Sequence, residues 1–491
     1  MPTDLCQLSA SELQPLLKSR QISPVELMRA TLERAEGVQR DLNCFVTLCA
    51  DEAMRGAREA QARLMSGAPC PLLTGLPFSV KDIVDTAGVR TTFGTLLLKD
   101  NVPRHDALAV RRLREAGAVL FAKTTTPEFG TAGLTESPLF GKTGNAWNAR
   151  RTSGGSSGGA AVAVACGVGA LAVATDGGGS TRIPAACNGV VGFKQSLGVV
   201  PHSQALERFA NQTYVTPMTR TVADTALMLE VMAGEDRCDP TSIGLSRQDF
   251  IGAASSSGDL RGLRILCCLA PQGQPVAADV RDLFERALFT LRDLGADVEP
   301  FDPQGLDVLG IWQVINHTAW LARFKTMVER NPDTFSPVFL RQLADAKAYS
   351  AVDFQDAMIE RTRLFDRVQS MMTPGTLLAM PTLTRTALPI DQDFLGAIEI
   401  DGVSLPSVRA YWYPFTMLFN MTGPPAVSVP CGFGTDGLPV GLHIVGGYRR
   451  DAELLRVASK FESAMGLLNQ WPHRAQDSAP GYRPNKPEGS S

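Results

Sequence analysis

Histidine is scarce in this chain, and its scarcity argues against one common catalytic arrangement. Only five histidines occur among 491 residues, and none of them lies in a G-x-S-x-G turn. They are His105, His202, His317, His443 and His473. Surface positions or core packing explain these residues better than a Ser-His-Asp triad does.

Metal-ligand spacing and a strong charge bias are also lacking. The ten cysteines are scattered, and the adjacent pair Cys267 and Cys268 forms no C-x-x-C motif or Cys/His cluster. We therefore expect no metal and no cofactor, and we expect reduced cysteines of the kind found in cytoplasmic proteins. The 47 basic and 50 acidic residues leave a net charge of -3, which favours neither nucleic acid nor an anionic membrane as a partner.

The N-terminus has no basic region followed by an apolar core, so no secretory signal is expected.

One long stretch, residues 152–175, contains no charged side chain. Its length would suit a membrane span, but its many glycines and the serines at its start argue against one. A phosphate-binding G-x-x-x-x-G-K-[ST] motif is absent as well. The run Ala160–Ala165 predicts the start of a buried helix, and Leu171–Ala174 predicts a short buried strand. Core packing explains these apolar positions, but it does not explain the serines that flank them in glycine-rich sequence.

Two serine sites frame this apolar segment. Residues 154–159 read GGSSGG and place Ser156 and Ser157 among glycines, where the backbone adopts turns that other residues resist. Ser180 closes the second site, where it follows a run of three glycines. Consecutive N–H groups without bulky side chains are suited to holding a developing oxyanion. The residues that would supply them are Gly177, Gly178, Gly179 and Ser180.

These motifs resemble the signature of the amidase signature family. The family pattern is GGSSGG, a Gly/Ala-rich segment and then D-x-G-G-S-x-R-x-P, which here ends at residues 176–184. Ser156 and Ser180 lie 24 positions apart, as in that family, and residues 75–82 (GLPFSVKD) resemble a further family motif. The resemblance implies Ser180 as nucleophile, Ser156 as bridging serine after a peptide bond that is usually cis, and Lys81 as catalytic lysine. It covers about residues 5–470 and is least specific in the middle third.

Lys81 ends the apolar run Leu76–Val80, an unusual place for lysine because lysine is rarely buried. The alternative interpretation is a charged Lys81 paired with Asp82 or another acid at the surface. In the mechanism that the resemblance implies, neutral Lys81 takes a proton from Ser156, which takes one from Ser180. Burial lowers the pKa of lysine and so favours the neutral form. We expect the supporting residues to act structurally, with Asp176 and Arg182 bracing the loop and Ser157 capping a turn.

Aromatic residues outside the motifs are candidates for the walls of a substrate pocket. Each of them is individually more typical of core packing, but together they indicate an apolar, aryl-accepting site. Gly130 is added by resemblance, as a residue that offers its backbone to substrate. The candidates are Phe129, Gly130, Phe209, Tyr214, Trp312, Trp320, Tyr411 and Tyr413. No acidic or basic cluster indicates a charged substrate.

The order of predicted elements favours an α/β fold. Capping patterns at Ser9 and Ser23 predict N-terminal helices, and residues 263–299 read as strand, helix and strand. No linker divides the chain, so we predict one domain over residues 1–475, with its signature core at about 70–225 and a flexible tail at 476–491. The resemblance implies a mixed central sheet of about eleven strands, covered by helices on both faces.

The leading functional hypothesis is hydrolysis of the C–N bond in small to medium apolar amides, aryl or alkyl, through a serine acyl-enzyme. Esters and carbamates (urethanes) are related candidate substrates. The alternative is the glutamine-hydrolysing component of a glutamyl-tRNA amidotransferase, and a third hypothesis is a binding protein without activity. The altered segment KQSLGVV at residues 194–200 weighs mildly against the amidotransferase. We expect a small amide and water as partners, and neither nucleic acid nor a membrane. Formation of a homodimer is a further possibility that the sequence does not decide.

Overall fold

The computed structural model describes residues 4–472. Its central element is a single mixed sheet of eleven strands. From edge to edge, the strands are β1 (Phe45–Leu48), β3 (Val119–Thr124), β2 (Pro77–Lys81), β6 (Leu171–Asp176), β8 (Tyr214–Thr219), β7 (Val191–Lys194), β14 (Ala426–Phe433), β15 (Pro439–Val445), β11 (Thr376–Pro381), β9 (Arg264–Cys267) and β10 (Asp297–Pro300). Two hairpins lie outside the sheet, β4 (Glu136–Ser137) with β5 (Gly141–Lys142) and β12 (Ile398–Ile400) with β13 (Val403–Leu405). The eleven-strand α/β architecture implied by the family resemblance is confirmed.

The direction and burial of the strands explain the composition of the middle of the sheet. Strand β2 pairs in parallel with β3 and β6, whereas β8 runs antiparallel to β6 and β7. Every residue of β2, β3, β8, β11 and β15 is buried. Because side chains alternate between the two faces, a strand that is buried throughout must be covered on both faces.

Fifteen α-helices accompany the sheet within the described residues. They are α1 (Ala10–Lys18), α2 (Pro24–Leu42), α3 (Ala50–Met65), α4 (Leu108–Glu115), α5 (Gly158–Ala165), α6 (Arg182–Asn188), α7 (Val222–Met232), α8 (Phe250–Ser255), α9 (Ala278–Asp293), α10 (Leu309–Arg330), α11 (Pro337–Ala346), α12 (Ala351–Met371), α13 (Val408–Trp412), α14 (Leu418–Thr422) and α15 (Asp451–Met465). The predicted capping boxes at Ser9 and Ser23 are present at the starts of α1 and α2. Helix α6 was not predicted from the sequence.

Helix α5 carries the apolar half of the charge-free stretch and is buried along its whole length. It packs against β6 and α6. Its small residues permit very close contacts, since a Cβ atom on Gly159 would lie 2.4 Å from the backbone nitrogen of Thr125. This packing holds the start of α5, where Ser156 and Ser157 lie, beside the end of β6, where the Ser180 loop begins.

Three consecutive helices, α10, α11 and α12, follow β10, and α10 packs against both of the others. Phe324 of α10 and Phe339 of α11 contact each other and the ring of Phe129, with ring centroids 4.2 and 5.1 Å from Phe129. Helix α10 is thereby attached to the loop that follows β3.

Two further observations concern the chain as a whole. No helix within residues 4–472 combines the length and the apolar character that a bilayer crossing requires. The predicted flexible tail at 476–491 and the last residues of the predicted domain lie outside the described residues.

Candidate active site

Lys81 is the last residue of β2, and its side chain is completely buried. Its Nζ lies 2.6 Å from Oγ of Ser156, 2.9 Å from Oγ of Ser157 and 2.8 Å from Oγ1 of Thr175. Burial lowers the pKa of Lys81 well below its usual value, and the negative charge of Asp176 opposes this effect. All three of these hydrogen-bond partners of the amine are hydroxyl groups, which can donate as well as accept.

The alternative of an ion pair between Lys81 and Asp82 is not what the structure shows. The Asp82 carboxylate accepts hydrogen bonds from the backbone N–H of Thr92, at 3.0 Å, and from the hydroxyl of the same residue. Its charge acts instead on Lys123 of β3. Within the described chain, Lys81 has no carboxylate at ion-pair distance.

Ser156 and Ser157 precede α5, and the peptide bond between Gly155 and Ser156 is cis. The prediction that Ser157 caps a turn is wrong, because its side chain makes no capping hydrogen bond to α5. The Ser157 hydroxyl donates to the carbonyl of Thr175 at 3.1 Å, so it can only accept from Lys81. The hydroxyl of Ser156 has Lys81 as its one hydrogen-bond partner among the described residues, so it is the hydroxyl that can donate to a neutral amine.

Asp176 organises the loop between β6 and α6. Its carboxylate accepts the N–H of Gly179 at 2.7 Å and that of Thr181 at 3.1 Å, and it forms an ion pair with Arg182 at 2.9 Å. Burial alone would raise the pKa of Asp176, but Arg182 and the amide of Asn420 lower it below its usual range. The carboxylate therefore remains charged and holds the loop, the bracing role that the sequence predicted for Asp176 and Arg182.

The backbone carbonyls of the same loop are fixed by side chains from three other elements. Nδ2 of Asn420 donates to the Asp176 carbonyl at 3.1 Å. The indole N–H of Trp312 donates to the Gly177 carbonyl at 2.9 Å, and the Thr416 hydroxyl donates to the Gly178 carbonyl at 2.7 Å. Gly179 has φ +116°, and a Cβ atom there would lie 2.4 Å from Oγ1 of Thr416, so only glycine fits.

These contacts correct the predicted set of oxyanion donors. The N–H of Gly179 is already committed to Asp176, so Gly179 is not available to an oxyanion. Within residues 4–472, the N–H groups that donate to no protein acceptor in this loop are those of Gly177, Gly178 and Ser180. The loop thus offers three backbone donors at the position where the serine would attack.

Ser180 is partly exposed, and its carbonyl accepts the N–H of Ser157 at 3.1 Å. This bond joins the two serine loops directly. No hydrogen bond connects the hydroxyls of Ser156 and Ser180 in the part of the chain described. Catalytic hydrogen bonds are often long when no substrate is bound. A hydrogen bond between the hydroxyls of Ser156 and Ser180 is therefore expected to form in the substrate complex.

Gly130 and Phe129 border the site in different ways. Gly130 has φ +72°, and a Cβ atom there would lie 3.3 Å from Oγ of Ser156, so its backbone forms part of the wall. Phe129 also has a positive φ, +50°, but its ring packs against the aromatic residues of α10 and α11. Phe129 therefore anchors this loop.

Trp312, Trp320 and Tyr413 are grouped around the two serine loops. A Cβ atom on Gly178 would lie 3.1 Å from the Trp312 ring, and the Trp320 ring meets Trp312 edge-on at 5.7 Å. The Tyr413 ring lies against Gly133, and a Cβ atom on Gly155 would lie 2.8 Å from the Gly133 backbone. Trp312 and Tyr413 therefore lie near the serine loops and Trp320 packs on Trp312, while their role as pocket walls stays a prediction.

The remaining three candidates for pocket walls differ in their surroundings, and their contact with substrate stays a prediction. Phe209 is 88% exposed in the loop between β7 and β8. Tyr214 is buried in β8, where Nζ of Lys194 lies 4.1 Å from the centre of its ring. Tyr411 is partly buried in α13, with its carbonyl bonded to the Thr384 hydroxyl. Aromatic character alone did not distinguish core and surface positions from the site.

The sequence analysis missed several residues of the site. Thr175 contacts the lysine amine, and Asn420 and Thr416 hold the nucleophile loop. The latter two lie 244 and 238 residues from their partners, beyond the reach of any local pattern. Arg409 was also missed, although it lies over Trp312 at 4.4 Å.

The side chains that could bind a metal ion are dispersed. No cluster of three or more His, Cys, Asp or Glu residues with suitable placement occurs within residues 4–472. The ten cysteines all lie within residues 4–472, and none of them forms a disulfide bond there.

Comparison with known proteins gives a consistent result. The profile of the Amidase family matches residues 26–455. An acylamidase from Rhodococcus erythropolis is 36% identical over 467 residues, covering 95% of this chain and 97% of that protein. The A subunit of a glutamyl-tRNA(Gln) amidotransferase from Roseiflexus sp. (strain RS-1) is 34% identical over 502 residues, covering 97% and 99%. The crystal structure of a bacterial aryl acylamidase of the amidase signature family has a TM-score of 0.86 and 30% identity, covering 94% of this chain and 97% of that one.

Proposed function

The chain belongs to the amidase signature family and is an amide-hydrolysing enzyme, and we propose that it cleaves small to medium apolar acyl amides through an acyl-enzyme on Ser180. The acylamidase and the aryl acylamidase among its relatives support this substrate class. Esters and carbamates are further candidates, because they present the same carbonyl to the nucleophile.

One observation carries the proposed mechanism. The Lys81 amine is buried and lies 2.6 Å from the Ser156 hydroxyl, and no carboxylate within residues 4–472 is bonded to it. Burial favours the neutral amine, which can accept a proton. An amine in this setting is suited to act as the base that activates a serine.

The proposed reaction uses the two serines in sequence. Lys81 accepts the Ser156 proton while Ser156 accepts that of Ser180, whose Oγ attacks the substrate carbonyl carbon. The N–H groups of Gly177, Gly178 and Ser180 stabilise the oxyanion. The proton returns through Ser156 to the leaving amine, the C–N bond breaks, and water then hydrolyses the ester on Ser180.

The test is covalent labelling combined with substitution of the nucleophile. A fluorophosphonate or sulfonyl fluoride is expected to label Ser180, and Ser180→Ala is expected to lose both labelling and turnover of aryl and alkyl amides while retaining its fold. The effect should fall on kcat more than on KM, because a covalent step is lost. Labelling of a cysteine, or zinc-dependent recovery of activity after EDTA, would contradict the proposal.

A second candidate function is glutamine hydrolysis within a glutamyl-tRNA amidotransferase, favoured by relatives such as the Roseiflexus protein. Glutamine carries both a carboxylate and an ammonium group, so its site needs an acceptor for the ammonium. The contacts of Trp312, Arg409 and Tyr413 within the described chain include no carboxylate. Turnover of glutamine only with added partner proteins, and none of aryl amides by the single chain, would favour this second candidate.

A further inference from the structure

Three arginines are buried among the described residues, and they differ in the charge that accompanies them. Arg182 forms an ion pair with Asp176 at 2.9 Å. Burial lowers the pKa of Arg220, and the carboxylate of Glu462 opposes that shift. Arg409 is equally buried, with 9% of its surface exposed, but no carboxylate of the described chain lies near its guanidinium. An unpaired charge in the protein interior is costly, so the position requires an explanation beyond packing.

The guanidinium of Arg409 is held in a defined orientation with part of its edge unused. Its Nη2 donates to the Thr131 carbonyl at 3.2 Å and to Oε1 of Gln342 at 3.1 Å. Its faces lie over the rings of Trp312 at 4.4 Å and Phe394 at 5.0 Å. The N–H groups of Nε and Nη1 donate to no described residue. Neither of these two nitrogen atoms is completely buried.

Two neighbours connect Arg409 to the loops that carry the serines. Trp312 contacts Arg409 with its ring and the Gly177 carbonyl with its indole N–H. On the other side, Thr131 follows Gly130, whose backbone borders Ser156. One side chain, Trp312, therefore lies between Arg409 and the loop that carries Ser180. On the other side, Thr131 lies between Arg409 and the Gly130 backbone beside Ser156.

His317 provides an independent observation at the same place. It is 2% exposed, and both of its ring nitrogens lack a hydrogen-bond partner in the described structure. Its ring stacks on Trp320 at 5.4 Å and lies edge-on to Trp312 at 6.1 Å. Burial, followed by the charge of Arg409, lowers the pKa of His317 to about 4, so the ring is neutral and retains one unused N–H donor. Buried polar groups without partners are rare in native proteins, and both ring nitrogens of His317 are such atoms close to the unused edge of Arg409.

We propose that Arg409, with Trp312 and His317 beside it, forms a subsite for a carboxylate of the substrate. The substrates are then amides with an apolar body and one terminal carboxylate, in the acyl part or in the amine part. The inference rests on the proposed function, because it assigns a specificity to the same Ser180 site. It changes the sequence-based expectation that no charged substrate is indicated.

A structural role for Arg409 predicts different behaviour. If the guanidinium only ties Thr131 to Gln342, its loss should lower the turnover of charged and uncharged amides by the same factor. A carboxylate subsite predicts that charged substrates lose more, because only they contact the unused N–H groups. The ratio of the two specificity constants separates these cases even when the variant is less stable.

The experiment uses two matched pairs of substrates with the full chain. Glutaryl 4-nitroanilide is compared with 5-methylhexanoyl 4-nitroanilide, in which an isopropyl group replaces the carboxylate of the acyl part. Similarly, 4-acetamidophenylacetate is compared with N-acetyl-4-isobutylaniline for a carboxylate in the amine part. We expect one pair to show a preference for the acid in kcat/KM of about 10- to 100-fold, the range of a hydrogen bond to a charged group.

Arg409→Met is expected to remove that preference, and Arg409→Lys to retain part of it, because the charge remains but the planar donor edge does not. Arg220→Met is the matched control, since Arg220 is equally buried, donates to the carbonyls of Leu468 and Gln470 and stacks on Trp471. It should leave the ratio unchanged.

The outcomes distinguish the two proposals. If the wild type hydrolyses the uncharged amides but prefers neither acid, the subsite is refuted while the proposed function stands; this result needs no variant. An equal loss for both members of a pair in Arg409→Met also refutes it. If the wild type hydrolyses none of the four amides, the proposed function itself fails.

Discussion

Two buried lysines, Lys81 and Lys123, occupy neighbouring parallel strands and differ in what surrounds them. In the register of β2 and β3, Lys123 lies opposite Val80 and Lys81 opposite Thr124. Both side chains are completely buried. Among the described residues, the hydrogen-bond partners of the Lys81 amine are hydroxyl groups. The amine of Lys123 donates to the Val84 carbonyl at 2.6 Å and to two threonine hydroxyls.

The charges around the two amines differ as well. Burial lowers the pKa of Lys123 to about 8, and Asp82 and Asp85 oppose this effect. Burial raises the pKa of Asp82 to about 6, with Lys123 opposing. At neutral pH the two groups therefore both remain charged, and each stabilises the charge of the other without a direct hydrogen bond between them in the described residues. Asp176 acts on Lys81 in the same direction, but its carboxylate is already paired with Arg182.

The comparison shows that burial alone does not identify a catalytic base. A carbonyl oxygen can only accept, so it favours an amine that donates, and a nearby carboxylate favours the charged form. A hydroxyl can reverse its hydrogen bond, so the environment of Lys81 accommodates both protonation states. We expect catalysis to depend on Lys81 and stability to depend on Lys123.

The largest effect is expected for substitution of Lys81. Lys81→Met should lower kcat by about 10²- to 10⁴-fold, the contribution typical of a general base. Lys81→Arg should not restore activity, because a guanidinium stays protonated. The rates are to be normalised to active sites titrated on Ser180. Substantial activity in Lys81→Arg would show that Lys81 is not the base.

Lys123→Met should instead lower the free energy of unfolding by about 1–3 kcal/mol, because it leaves the buried Val84 carbonyl without its donor and removes the positive charge that stabilises the Asp82 carboxylate. The turnover number of the folded enzyme should change little. The double variant Lys123→Met with Asp82→Asn should regain part of the stability in urea unfolding. A Lys123→Met protein that is stable but inactive would contradict the view that Lys123 serves stability and Lys81 serves catalysis.

The pH profile tests the same distinction in the unmodified enzyme. Only the neutral Lys81 amine accepts a proton, so kcat/KM should rise as the pH increases through its pKa and level off above it. Burial places this pKa well below 10.5, so the plateau should begin below that pH. Asp82→Asn should leave the rising part of the profile in place, because Asp82 faces Lys123. A profile that still rises at pH 10.5 would contradict the neutral base.

The smallest effects are expected at the hydroxyl partners. Ser157→Ala removes one acceptor from Lys81 and should lower kcat by up to about tenfold, the value of one hydrogen bond. Thr86→Val removes one acceptor from Lys123, at 2.9 Å, and should lower stability by about 1 kcal/mol without changing kcat. If Ser157→Ala were as inactive as Lys81→Met, Ser157 rather than Ser156 would be the bridging serine.

Much of the fold could be predicted because it follows from local pattern. Capping boxes at Ser9 and Ser23 and apolar runs such as Leu171–Ala174 correspond to observed elements. The short helix α6 was missed, since its seven residues show no helical repeat and contain Pro184. The resemblance to the amidase signature family supplied the number of strands, which local pattern does not reveal.

The sequence by itself determined the glycine-rich serine loops and the lysine at the end of β2. The reason is steric and local, because only glycine permits the close backbone contacts at Gly159 and the positive φ at Gly179. The tertiary structure decided which polar groups meet. It brought Ser157 to Lys81, committed the Gly179 N–H to Asp176 and placed Arg409 beside Thr131, 278 residues away in the chain. Such contacts depend on how distant elements pack, so no local pattern specifies them.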